Sequence, residues 1–244
     1  MFYRKIITSV AVLAVLFATT TATIATRAEN PVSDKKTARI LTPLNIAILI
    51  QDDLISQVGN ELDITREFIR SLPDGSRVLT GYITSGTLQV RQPFTTDLDK
   101  AARSLRIPMS SGAASPFNPY VEVSEALRRF DPAWKGSNAV LLISDGLDTS
   151  RGFDSGTAGN TLDLHRAIKH ANERNVAVYS FYAPSVGLTS RSRLAASYGQ
   201  SSLNRLANET GGKAFFQGTT GFVSFDSHFR RLREALNSQV AMAN

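Results

Sequence analysis

Two short acidic stretches follow apolar runs in this chain. Gln51-Asp52-Asp53 comes directly after Asn45–Ile50, and Asp145 comes after Ala139–Ile143 in the turn Ser144-Asp145-Gly146. A third stretch, Ser110–Ser115, supplies hydroxyls. In open α/β sheets ligands bind beyond the carboxyl ends of the strands, so three loops at such ends would share one rim. Clustered carboxylate and hydroxyl oxygens suit a hard divalent cation such as Mg²⁺, Mn²⁺ or Ca²⁺. Three carboxylates held close together also repel unless a cation or proton sits among them. The competing reading makes the same acids caps of helix N-termini, where negative charge is favourable.

Other chemistries find less support. The chain has no Cys, which excludes disulfides, thiolate metal sites, a cysteine nucleophile and lipoprotein-type lipid attachment. His165 and His170 are five apart on one expected helix and do not share a face, while His228 opens the last helix. All three read as solvated. Gly152-Phe-Asp-Ser155-Gly156 lacks the spacing of a serine-hydrolase elbow, and no Gly-rich loop follows the first strand to cradle a dinucleotide or phosphate. The run Ile48–Asp53 also suits the start of a phosphorelay receiver, but Asp145 lies too far downstream for that fold. Arg191, Arg193 and Arg205 with Tyr198 form either a basic binding rim or a solvated loop. Arg128-Arg129 and Arg230-Arg231 with Arg233 read as wet helix faces, and Trp134 as a packing residue.

The elements that would position these residues alternate. Strands are expected at Asn45–Ile50, Arg77–Thr84, Thr87–Pro93, Ala139–Ile143, Val176–Tyr182 and Lys213–Gln217. The second and third form a hairpin about Ser85-Gly86. Helices are expected from Val58 to Leu72, and over Leu98–Leu105, Val121–Phe130, Leu162–Asn172, Ser202–Thr210 and about Phe225–Val240. The last carries Phe229, Leu232, Leu236 and Val240 on one stripe. Ala183–Gln200 is polar and Arg-bearing and reads as surface. Such alternation predicts an α/β, doubly wound, mostly parallel sheet with helices on both faces, a Rossmann-like three-layer sandwich.

In this order of elements the chain resembles von Willebrand factor type A domains. The matching motifs are Asn45–Ile50 running into an acidic loop, Ser71-Leu-Pro-Asp-Gly-Ser-Arg-Val78, Leu141-Leu-Ile-Ser-Asp-Gly146 and Leu203-Asn-Arg-Leu-Ala-Asn-Glu-Thr-Gly-Gly212. The likeness runs from about Leu41 to the C-terminus. It looks closest to the acidobacterial group, which has a similar Val58-Gly59-Asn60 and Gln92-Pro-Phe-Thr-Thr96. Such domains often carry a metal-ion-dependent adhesion site, built from Asp-x-Ser-x-Ser, a Thr and the Asp of the Asp-Gly turn. There a carboxylate from the partner completes the metal's coordination. Asp145 matches the last position. Placed directly after Ile50, the first motif reads Gln51, Asp53, Ile55; moved by one it reads Asp52, Leu54, Ser56. Ser115 is the nearest substitute for the Thr. The resemblance thus implies a degenerate site whose candidate metal ligands are Asp52, Asp53, Ser56, Ser115 and Asp145.

The 244 residues are 42% hydrophobic and 20% charged, a globular composition large enough for one sizeable core without disulfides. Arg4-Lys5, the apolar run Val10–Ala18 and small residues up to Ala28 form a secretory leader pattern at 1–28, followed by a polar linker at 29–40 and one domain at 41–244. The chain would meet a membrane only if that segment stays uncleaved. Three of the 27 basic residues leave with the leader, which carries no acid, so the excess over 21 acidic residues falls from +6 to +3. Nucleic acid is therefore a poor partner. The expected function is an exported, non-enzymatic interaction module of adhesion type that binds a protein or cell-envelope ligand at its top face. The alternatives are a divalent-cation-dependent adhesion module and, from a different class, an exported hydrolase.

Overall fold

The computed structural model describes residue 40 and residues 42–109, 117–134, 136–156, 159–218 and 223–243, with side chains as far as 238. The leader, nearly all of the linker, and the loop carrying Ser115 lie outside the described residues.

Six strands form one sheet in the order β3-β2-β1-β4-β5-β6. They are β1 Leu44–Gln51, β2 Arg77–Thr84, β3 Thr87–Thr95, β4 Ser137–Ser144, β5 Val176–Tyr182 and β6 Ala214–Phe215. All pairs are parallel except β2 with β3. Those two are joined by the tight turn at Ser85 and Gly86, both at positive φ. β1 and β4 read as uninterrupted apolar runs because both of their faces are covered. Alternate residues serve opposite cores. Ile46, Ile48 and Ile50 of β1 face one side, and Ala47 and Leu49 face the other.

The first side is covered by α1 Gln57–Asn60, α2 Leu62–Arg70, α3 Leu98–Arg103 and α8 Asp226–Ala243, with Phe68, Phe229 and Leu232 in its core. The second is covered by α4 Pro119–Leu127, α5 Leu162–Glu173 and α7 Arg193–Glu209, with Tyr120, Val123, Leu164 and Leu203 in its core. A single turn, α6 Leu188–Arg191, precedes α7. The chain winds outward in one direction from β1 to β2 and β3, and in the other through β4, β5 and β6. Strand order therefore reverses between β1 and β4, where a doubly wound sheet opens a crevice at its carboxyl end.

Three expectations are corrected. The helix expected from Val58 to Leu72 breaks at Glu61 into α1 and α2. The stretch Ala183–Gln200 is not mere surface: α7 begins at Arg193, and Ser185, Thr189, Ala195, Ala196, Gly199 and Gln200 are buried. This helix packs through small residues, so its buried face carries little hydrophobic signal. His228 is not solvated. It sits 3% exposed among Phe181, Phe215 and Phe225, and burial, with the nearby Arg231 cation, pushes its pKa down to about 4. Among the described residues no helix is long and apolar enough to cross a membrane.

Candidate functional site

The crevice between β1 and β4 holds a cleft of about 340 Å³. Gln51 and Asp53 reach it from the end of β1, Asp145 and Leu147 from the turn after β4, and Ser185, Gly187 and Leu188 from the segment after β5. Phe117, Thr149 and Phe153 complete its walls.

Gln51 is the hub. Its Oε1 accepts from Ser144 Oγ at 2.5 Å and from the Asp145 N–H at 3.3 Å, and its Nε2 donates to Asp53 Oδ1 at 2.7 Å. Asp145 is 3% exposed. Its Oδ1 accepts from the Leu147 N–H at 3.0 Å and its Oδ2 from Thr189 Oγ1 at 3.2 Å. Thr189 in turn accepts from the Ser185 N–H at 2.8 Å. The segment after β5 is clamped over the loop after β1: the Ile55 N–H donates to Pro184 O at 3.0 Å, and the Val186 N–H donates to Asp53 O at 2.9 Å. Burial, with the charge of Asp145 behind it, pushes Asp53 up to about 7, against the hydrogen bond from Gln51. Burial also raises Asp145.

Asp52 takes no part in the cleft. It forms a two-pronged ion pair with Arg106, Nη1 to Oδ1 at 2.7 Å and Nη2 to Oδ2 at 2.8 Å. It also accepts from the Met109 N–H at 2.7 Å and from Thr84 Oγ1 at 3.0 Å. Burial alone would raise its pKa, but these donors and the Arg106 charge hold it below the ordinary carboxylate range. Arg106 lies 4.0 Å above the Tyr82 ring, and the Tyr82 hydroxyl accepts from the Arg106 N–H at 2.7 Å.

The register Asp52, Leu54, Ser56 is scattered by the fold. Asp52 is consumed by Arg106, Leu54 is fully buried, and Ser56 is exposed at the start of α1. Of the register Gln51, Asp53, Ile55, the first two reach the cleft and Ile55 packs on the core. The acids do not cap helices: Asp145 closes its own turn at Leu147, while Ser56 stands at the N-cap of α1. Sequence reasoning missed Arg106, Ser185 and Thr189. A polar Ser/Thr pair four residues apart after a strand was the available signal for the last two.

A divalent cation does not fit the donors described. Among the described residues no three His, Asp or Glu side chains converge as metal ligands. Gln51 turns an NH₂ group, not an oxygen, toward Asp53, and both Asp145 oxygens accept hydrogen bonds from the protein. A hard cation wants six or more oxygens, water included, and the described residues bring two carboxylates to the cleft.

Elsewhere, Arg205 pairs with Glu209 and also bonds Asn160 and His165, so it does not join a free basic rim. Tyr198 packs edge-on against Phe153 at 6.1 Å. Trp134 is half-buried with Arg77 over its ring. Arg128 and Arg129 pair with Glu125 on an exposed face, as expected of a wet helix surface.

No sequence-family model and no curated protein matches this chain. Solved structures do share its fold. BatB from Bacteroides thetaiotaomicron superimposes with a TM-score of 0.56 at 16% identity, covering 81% of this chain and 99% of its own. A von Willebrand factor type A protein from Catenulispora acidiphila gives 0.55 at 16% identity over 80% of this chain and 43% of its own. An aerotolerance-related membrane protein from Bacteroides fragilis gives 0.51 at 15% identity, over 80% and 99%.

Proposed function

We propose, from the von Willebrand factor A-type fold of this chain, that it is an exported, non-enzymatic interaction module that holds a protein or cell-envelope ligand at the carboxyl end of its sheet, without a resident metal. The observation that carries the reading is the cleft itself. Two acids, Asp53 and Asp145, meet at the crossover of a doubly wound sheet, and the Gln51 amide, where the resemblance implies a metal-binding Asp, bonds the Asp53 carboxylate and the Asp145 backbone N–H. Among the described residues no His lines the cleft, and the Ser185 hydroxyl is hydrogen-bonded to Thr189. Export rests on the leader pattern, and the narrower kinship with the acidobacterial group on the sequence motifs alone.

Thermal unfolding in EDTA, then with millimolar Mg²⁺, Mn²⁺ or Ca²⁺, separates this reading from cation-dependent adhesion through Asp52, Asp53, Ser115 and Asp145. A bound cation at about 100 times its dissociation constant would raise the midpoint by about 5–10 °C. The expected result is no cation-dependent shift, in the wild type and in Asp145→Ala alike. A shift of that size, lost in Asp145→Ala, would establish the metal-dependent mode instead. Turnover on esterase, phosphatase or peptidase substrates, abolished by replacing one of the two acids, would make the protein a hydrolase.

A further inference from the structure

We infer that the Asp53–Asp145 cleft receives an arginine side chain of the partner protein, a contact of opposite polarity to the metal-borne carboxylate contact that the resemblance implies. This rests on the reading of the cleft as the ligand site and names the chemistry it accepts.

Three observations converge. The first is a pair of acids without a counter-ion. Asp52 has Arg106 as its counter-ion, whereas among the described residues neither Asp53 nor Asp145 has an ion-pair partner, although Asp145 is 3% exposed. Among the described residues no Lys or Arg lines the cleft. Buried carboxylates are ordinarily paired, protonated or bound to a metal; the donor set disfavours the metal, and a cationic ligand would take the place of the proton. The second is the wall chemistry. Phe117, Phe153, Leu147 and Leu188 offer apolar and aromatic surface around the two acids, which suits the methylene stem and planar head of arginine. The third is size: about 340 Å³ is far larger than an ion needs and within the range of pockets that take organic groups. A guanidinium carries five donors in a planar fork, enough to serve both carboxylates together, and it stacks on aromatic rings.

The test is a heteronuclear NMR titration of the full chain with three capped amino acids. Nα-acetyl-arginine amide is the ligand mimic, Nα-acetyl-citrulline amide keeps the shape without the charge, and Nα-acetyl-glutamate amide is run with and without Mg²⁺. The expected result is saturable shifts of the Leu147, Thr149, Ser185 and Gly187 amides with arginine. Affinity should fall by at least about tenfold for citrulline, and equally for arginine in Asp53→Asn. Asp53→Asn preserves volume at a half-buried position, and its folding is read from the same spectra. Asp74→Asn, an exposed acid before β2 at the opposite end of the sheet, should bind like wild type.

Equal binding of citrulline, or undiminished binding by Asp53→Asn, overturns the inference. Glutamate binding that requires Mg²⁺ overturns the polarity but leaves the cleft as the ligand site. No response to any of the three overturns the arginine ligand, and the broader reading is then decided by the cation and turnover experiments above.

Discussion

Asp52 and Asp53 are neighbours in sequence and opposites in the fold. Backbone alternation at the end of β1 turns Asp52 toward β2 and Arg106, and Asp53 toward Gln51 and the cleft. Their substitutions should therefore have opposite signs. A carboxyl whose pKa is raised by folding is most favourable to stability while protonated. Stability is then full below the unfolded value near 3.8 and declines as the pH rises through about 7. Asp53→Asn escapes that decline. In urea unfolding it should exceed wild type by about 2 kcal/mol near pH 8, a figure discounted for partial exposure, and match it near pH 4. Asp52 has the reverse linkage. Its pKa is depressed, so its contribution is present above its unfolded value and fades as the pH falls below it. Arg106→Ala leaves that buried carboxylate unpaired and frees the Arg106–Met109 segment, and should cost about 3 kcal/mol near neutral pH.

At the scale of elements, the site depends on how closely α7 lies against the turn after β4. A Cβ on Gly199 would fall 1.9 Å from Asp145 O, and one on Gly146 would fall 2.3 Å from Gly199 O. Gly146 also has φ +74°, a conformation that glycine takes without steric cost. Glycine inside a helix costs about 1 kcal/mol relative to alanine, so Gly199 should be a weak point of α7. Here the close approach reverses the usual rule. Gly199→Ala should destabilise by about 2–3 kcal/mol in chemical denaturation, and hydrogen exchange should quicken at Leu147, whose amide Asp145 holds. Equal or greater stability would mean that α7 can retreat without disturbing the turn. The β2–β3 hairpin shows the contrary case, in which Ser85-Gly86 announced the turn without any help from tertiary packing.

For the whole molecule, the acid response is a difference between opposing groups. His228 is neutral in its aromatic surroundings with a pKa near 4, whereas the unfolded chain takes up that proton near 6.5. Stability is thus lost as the pH falls from 6.5 toward 4, the window in which protonation of Asp53 restores some. In His228→Phe the advantage over wild type should grow by about 2–3 kcal/mol between pH 7.5 and pH 4, read as the change in the urea midpoint at constant slope. A pH-independent difference would mean that His228 titrates in the fold as it does in the unfolded chain. Packing around it is shared among α8, β5 and β6: Phe181 contacts His228 at 5.2 Å and Phe229 at 4.9 Å, and Phe229 stacks on Phe68 of α2 at 4.5 Å.

The sequence by itself determined the strands and most of the helices. Their signals are local: β-branched runs such as Asn45–Ile50, helical stripes such as Phe229, Leu232 and Leu236, and punctuation such as Pro73-Asp74-Gly75. It also brought Asp53 and Asp145 to one rim, because strand ends in a doubly wound sheet have fixed places. It could not decide which acid would face the cleft, since a shift of one residue exchanges the two sides of a strand. Nor could it find the Arg106 ion pair, whose partners lie 54 residues apart, or the buried small-residue face of α7. The distance between residues far apart in sequence is set by packing, and packing decided that Asp52 has a counter-ion while Asp53 and Asp145 share a cleft that holds none among the described residues.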